Sequence, residues 1–132
     1  MVGRIAGGTV VALMALAGAA QAQAKPEALP PGVTAAMVKE GETLFKGAGL
    51  CSACHGQDGK GIPSLGANLV DAQWVHSKGS YDEIVKQITG GVTADKSTTG
   101  VVMPPKGGTT ITDAQVKAIA AYVWSLSHLP PK

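Results

Sequence analysis

The clearest periodicity in the chain lies near its C-terminal end. Val116, Ile119, Ala120 and Val123 recur at helical spacing, Thr112 and Gln115 stand as a capping box, and Ile111 pairs with Val116 as a hydrophobic staple. Pro130 and Pro131 stop the pattern. A second helix is predicted to begin at Ser80. Ser80 and Glu83 form another capping box, Tyr81, Ile84, Val85 and Ile88 make the apolar face, and Gly90-Gly91 ends it. A further helix is predicted from about Thr34, its N-cap, to Lys46, with Met37, Val38, Gly41, Leu44, Phe45 and Ala48 on one face. No segment alternates apolar and polar residues long enough to make a strand. The expected fold is all-α, three main helices and two long loops. Those loops, residues 56–79 and 90–111, are rich in glycine and proline. In a domain this small, loops of that length usually line a site.

The pattern at the N-terminus is of another kind. Arg4 precedes an apolar run from Ile5 to Ala20, and Ala20-Gln21-Ala22-Gln23-Ala24 offers two overlapping A-x-A cleavage sites. Residues 1–24 are therefore expected to be a secretory signal peptide, cut after Ala22 or Ala24. The competing reading is an uncleaved N-terminal anchor, but a membrane span needs about 20 apolar residues and this run is short. Residues 25–33, with Pro26, Pro30 and Pro31, read as an extended leader, and residues 34–132 as one domain. No later stretch is apolar enough to span a bilayer, so a soluble periplasmic protein is expected.

Composition narrows the choice. Eleven Lys and Arg stand against nine Asp and Glu, and Arg4 lies in the expected signal, so the remainder is nearly neutral. Nucleic-acid binding, which calls for a basic patch, is disfavoured. Phe45, Trp74, Tyr81, Tyr122 and Trp124 are the whole aromatic complement. So few large apolar side chains would struggle to fill a core alone, and something else would have to supply the bulk.

The stretch CSACHGQDGKG, Cys51 to Gly61, holds the two cysteines of the chain and His55 beside the second. A redox pair would need a βαβ setting, and here a helix precedes it. A structural zinc site would need four ligands, and the adjacency of Cys54 and His55 is awkward for a tetrahedron. A plain disulfide is the bland alternative. CxxCH in an exported chain is, however, the attachment pattern of c-type haem. On a helical turn Cys51, Cys54 and His55 share one face, so two thiols can bond the vinyl groups while the imidazole reaches the iron. The second axial ligand is expected from the later loop. Met103, followed by Pro104-Pro105, is the candidate, because the prolines fix the backbone around its thioether. Met37 is expected to fill core, and His76 and His128 are the lesser alternative ligands, His128 being expected in solvent past the last helix.

The order helix, CSACH, loop, helix, MPP, helix resembles class I, single-haem cytochrome c over about residues 34–128. The stretch CSACHGQDGKGIPSLGANLVDAQW further resembles the small haem domains of bacterial haem–copper oxidase subunits and of periplasmic alcohol dehydrogenases. The resemblance implies a non-enzymatic electron carrier cycling one covalent haem c between ferrous and ferric iron. It implies a redox donor and acceptor as partners, either a membrane oxidase or a periplasmic dehydrogenase, or service as a subunit of such a complex. It further implies that Gly41 and Phe45 cross Ile119 and Tyr122. The Pro63 carbonyl would accept the His55 proton. Trp74 would pack beside the haem, bond a propionate or serve equally as core packing. The docking edge would be formed by Ser52, Ala53, Val101, Val102, Pro104 and Pro105.

Overall fold

The computed structural model describes residues 27–130, together with Gly3. The expected signal segment and its cleavage sites lie outside the described residues. Helix α1 spans Ala35–Lys46, α2 Ser52–His55, α3 Tyr81–Gly90 and α4 Asp113–His128, with a 3₁₀ turn at Pro105–Gly108 before α4. The expected all-α fold is present, and the CxxCH segment adds a one-turn fourth helix to the three expected.

Each of the three longer helices starts where a side chain satisfies its first backbone donors. Thr34 Oγ1 accepts from the Met37 N–H at 3.2 Å. The Glu83 carboxylate accepts from the Ser80 hydroxyl at 2.7 Å, the Ser80 N–H at 3.3 Å and the Lys78 N–H at 3.1 Å. Those bonds, the Ser80 hydroxyl first, hold its carboxyl below the usual range. At α4 the box is reciprocal: Thr112 N–H donates to Gln115 Oε1 at 2.9 Å and Gln115 N–H to Thr112 Oγ1 at 3.3 Å.

Helix α1 ends at Lys46, as expected. The N–H groups of Gly47 and Gly49 both donate to the Leu44 carbonyl, at 3.2 and 2.8 Å, and turn the chain away. Ala48, expected on the apolar face, is exposed in that turn. Before α1 the chain is irregular, with Leu29 packed on the core and Val33 buried.

The core is organised around α4, which is buried from Ala118 through Trp124. Helix α1 crosses it so closely that a Cβ on Gly41 would strike the Ala118 carbonyl. One turn further along, the Phe45 ring meets Tyr122 edge-on, centroids 5.3 Å apart and planes at 66°. The expected crossing is present with one partner changed. Gly41 faces Ala118 rather than Ile119, because Ala118 and Tyr122 lie one turn apart on the same face of α4. Ile119, fully buried, turns instead toward the interior cleft. Helix α3 is tied to α4 by the Tyr81 hydroxyl, which donates to the Lys117 carbonyl at 3.2 Å. Backbone pairing between extended segments is limited, among the described residues, to two isolated bridges, Ile62 with Gly66 and Val92 with Met103.

Candidate haem site

An apolar cleft opens between the helices and the two long loops. Its inner wall is apolar: Phe45 from α1, Ile84 and Ile88 from α3, Ile119 and Val123 from α4. Cys51, Cys54, His55 and Met103 all border it. This is the space that the aromatic-poor composition calls for a large apolar body to fill.

The CxxCH segment is a single helical turn. The N–H groups of Cys54 and His55 both donate to the Cys51 carbonyl, at 3.2 and 2.9 Å, and Gly56, at φ 77°, ends the turn. Cys51 and Cys54 are both half-buried and are not joined to each other. Burial pushes the Cys51 thiol up to about 11, and its Sγ lies 3.4 Å from the Gly49 carbonyl. Among the described residues no cluster of three His, Cys, Asp or Glu side chains is arranged to hold a bare metal ion.

His55 Nδ1 lies 2.8 Å from the Ala67 carbonyl oxygen. A carbonyl can only accept, so Nδ1 carries the proton and Nε2 is the nitrogen left for a ligand bond. The expected acceptor, Pro63, is displaced from this role. A tight turn, with Ile62 N–H donating to Gly66 O at 3.1 Å and Gly66 N–H to Ile62 O at 3.0 Å, carries Pro63 out to solvent. Beyond that turn Gly66 lies so close to Cys54 that a Cβ would strike the Cys54 carbonyl. The Gly61 N–H also donates to the His55 carbonyl, at 2.7 Å. The loop is thus fastened under the CxxCH turn at both ends, and Ala67 is the residue that arrives beneath the imidazole.

Met103 is held from both sides. It exchanges two backbone hydrogen bonds with Val92, at 2.8 and 2.9 Å. Gly91, at φ 69°, passes so near that a Cβ would meet the Met103 carbonyl. After Pro104 the 3₁₀ turn is pinned to the start of α4 by Lys106 Nζ, 2.7 Å from Asp113 Oδ1. Met37 lies on α1 away from the cleft, so Met103 supplies its thioether among the described residues.

The remaining expectations divide. Trp74 is half-buried at the cleft wall, with Gly79 packed against its indole nitrogen. His76 is exposed at the rim. His128 is half-buried rather than solvated: its ring stacks on Trp124 at 4.4 Å, and Nδ1 lies 2.8 Å from the Trp124 carbonyl one turn earlier. Ser52, expected at an exposed edge, is buried and accepts from Gln57 Nε2 at 3.3 Å. Leu50, Leu65 and Val75, which sequence reasoning passed over, line the rim. Their loops carry no periodicity that would have marked them.

One helical turn presenting two thiols and an imidazole to an apolar cleft, with a thioether on a second loop, defines a c-type cytochrome domain. The chain belongs to the family described as cytochrome c oxidase, cbb3-type, subunit III, whose model matches residues 36–123. It is 40% identical over 90 residues to the cbb3-type cytochrome c oxidase subunit CcoP of Rubrivivax gelatinosus, covering 68% of this chain and 26% of that protein. It is 38% identical over 97 residues to the cbb3-type subunit FixP of Azorhizobium caulinodans, covering 73% of this chain and 29% of that protein. The match therefore takes in less than a third of the length of those relatives. Among solved structures, cytochrome CL from the marine methylotroph Methylophaga aminisulfidivorans MPT superposes with a TM-score of 0.53 at 27% identity, over 69% of this chain and 53% of that one. A cytochrome c domain implies covalent haem c, which Cys51 and Cys54 are spaced to hold.

Proposed function

We propose that the iron is held between His55 and Met103 and that the protein is an exported, periplasmic electron carrier rather than an enzyme. Haem c supplies the one-electron ferrous–ferric couple. The chain's part is to fix both axial donors, exclude water and leave one edge for electron exchange. The observation that supports this reading most strongly is that His55, its Nδ1 bonded to Ala67, and Met103, anchored on Val92, border one apolar cleft from separate loops. With both axial positions filled the iron offers no open site to a substrate. Export is supported by the A-x-A segment at residues 20–24. No helix among the described residues is long and apolar enough to cross a membrane. The partners would be a redox donor and acceptor, one of them a membrane oxidase or a periplasmic dehydrogenase.

A second reading, a haem c subunit within such a complex, is favoured by the likeness to CcoP and FixP, each named as an oxidase subunit. Size-exclusion of the protein from its own periplasm separates the two: a free carrier elutes alone, a subunit with its complex. The ligand assignment is tested by substitution. Met103→Ala should abolish the weak near-infrared band of ferric, Met-ligated haem, open the iron to cyanide and lower the midpoint potential, since thioether ligation favours the ferrous state. A band that survived in Met103→Ala and vanished in Met37→Ala would overturn the assignment.

A further inference from the structure

The loop from Thr93 to Val102 closes on itself. At its base Val92 and Met103 exchange backbone hydrogen bonds. Within it Lys96 and Ser97 donate to Thr93, and Gly100 donates to Ser97. Among the described residues a single hydrogen bond runs from the interior of this loop to another element: Thr99 Oγ1 donates to the Leu65 carbonyl at 3.3 Å. The two residues stand on facing walls of the cleft, Thr99 on the loop that carries Met103 and Leu65 on the loop that carries Ala67.

The two ends of this bond are unequally fixed. Leu65 is followed by Gly66, which is wedged against the Cys54 backbone, and its own N–H donates to Ile62 at 3.0 Å. The opposite wall lacks such support. Gly100 lies in open space at φ 72°, and the residues around it bond locally. Thr99 concentrates the local bonds on its hydroxyl. Ser97 Oγ lies 3.1 Å from Thr99 Oγ1 and accepts from the Thr99 N–H at 3.3 Å, and the Val101 N–H donates to Thr99 Oγ1 at 3.4 Å. One hydroxyl therefore shapes the loop tip and fastens it to the fixed wall.

Resting on the reading of Met103 as an axial ligand, we infer that Thr99 is a positioning residue. It clasps the methionine loop to the loop supporting His55 and sets how often the thioether leaves the iron. An external ligand must wait for that opening, so its apparent affinity scales with the open fraction. A neutral hydrogen bond contributes about 0.5–1.5 kcal/mol net, which corresponds to roughly a two- to tenfold change in that fraction.

The test compares cyanide binding to the ferric holoprotein, with hydrogen exchange of the Met103 amide, which is bonded to Val92 and not to Thr99, followed in parallel. Thr99→Val keeps the shape and removes the hydroxyl, and Thr99→Ser keeps the hydroxyl. Thr99→Val should bind cyanide several-fold faster and exchange the Met103 amide faster. Thr99→Ser should stay near the native values. Native cyanide binding and exchange in Thr99→Val would overturn the clasp, as would equal shifts in both variants, because the effect would then not follow the hydroxyl. Met103→Ala separates this from failure of the ligand assignment. If it left the near-infrared band intact, the assignment would fall, whereas faster Met103 exchange in Thr99→Val would still report the clasp.

Discussion

Single atoms decide two features of this site. Gly41 admits α4 because it lacks a Cβ. Even Ala there would press on the Ala118 carbonyl, which cannot swing aside as a side chain could. Gly41→Ala should cost about 1–3 kcal/mol as overpacking, read from denaturant unfolding of the holoprotein. An unchanged midpoint would show that the two helices do not touch there. Gly66 plays the corresponding part below His55. A methyl group at that position meets the Cys54 backbone and should push the Ala67 carbonyl off Nδ1. With His55 as the proposed iron ligand, that hydrogen bond would strengthen the imidazole as a donor and favour the ferric state. Gly66→Ala should therefore raise the midpoint potential, and a lowered or unmoved potential would rule this tuning out. The CxxCH triad was legible from spacing alone, because it works through local helical geometry. The acceptor for His55 was not, since a backbone carbonyl has no residue type of its own. The expectation of Pro63 failed on the turn between Ile62 and Gly66.

The starts of the helices could be read from the chain because capping is local: Thr34, Ser80 and Thr112 each act on groups within three residues. The end of α1 at Lys46 was legible too, whereas which residue of α4 meets that helix depends on the fold. Ala48, placed on the same apolar face, lies past that end, where Gly47 and Gly49 divert the chain. At the start of α4, Lys106 holds the turn behind Met103 through Asp113. The hydrogen bond from Lys106 keeps the Asp113 carboxyl below its usual range. A lowered carboxyl contributes stability above its ordinary value and loses it as pH falls through the lowered one. Asp113→Asn should therefore be less stable than the native protein at neutral pH, with the difference vanishing in strong acid. Urea midpoints at both ends of that range check the sign. A gap that widened in acid would contradict it. The contribution is small, because the pair is solvent-exposed.

At the scale of the whole molecule, a small chain poor in aromatics encloses an apolar cleft and leaves large apolar groups at its mouth. Leu50 is 57% exposed, Val75 66% and Val102 53%. The lysines nearest the CxxCH turn and the methionine are paired, Lys60 with Asp58 at 3.0 Å and Lys106 with Asp113. A weak apolar docking edge follows, with little electrostatic steering. Electron transfer to the natural partner should fall only modestly as salt rises, and Val102→Glu should slow it while leaving the spectrum intact. A steep loss of rate with salt in the native protein would exclude this edge.

A redox titration of the purified protein, followed by optical absorption, tests the central claim of one haem c held between His55 and Met103 for electron transfer. The expected result is a single reversible one-electron transition between low-spin, six-coordinate ferric and ferrous spectra, with the near-infrared band present in the ferric state. A high-spin spectrum in either state, or pigment that acid-acetone carries away from the protein, would contradict it.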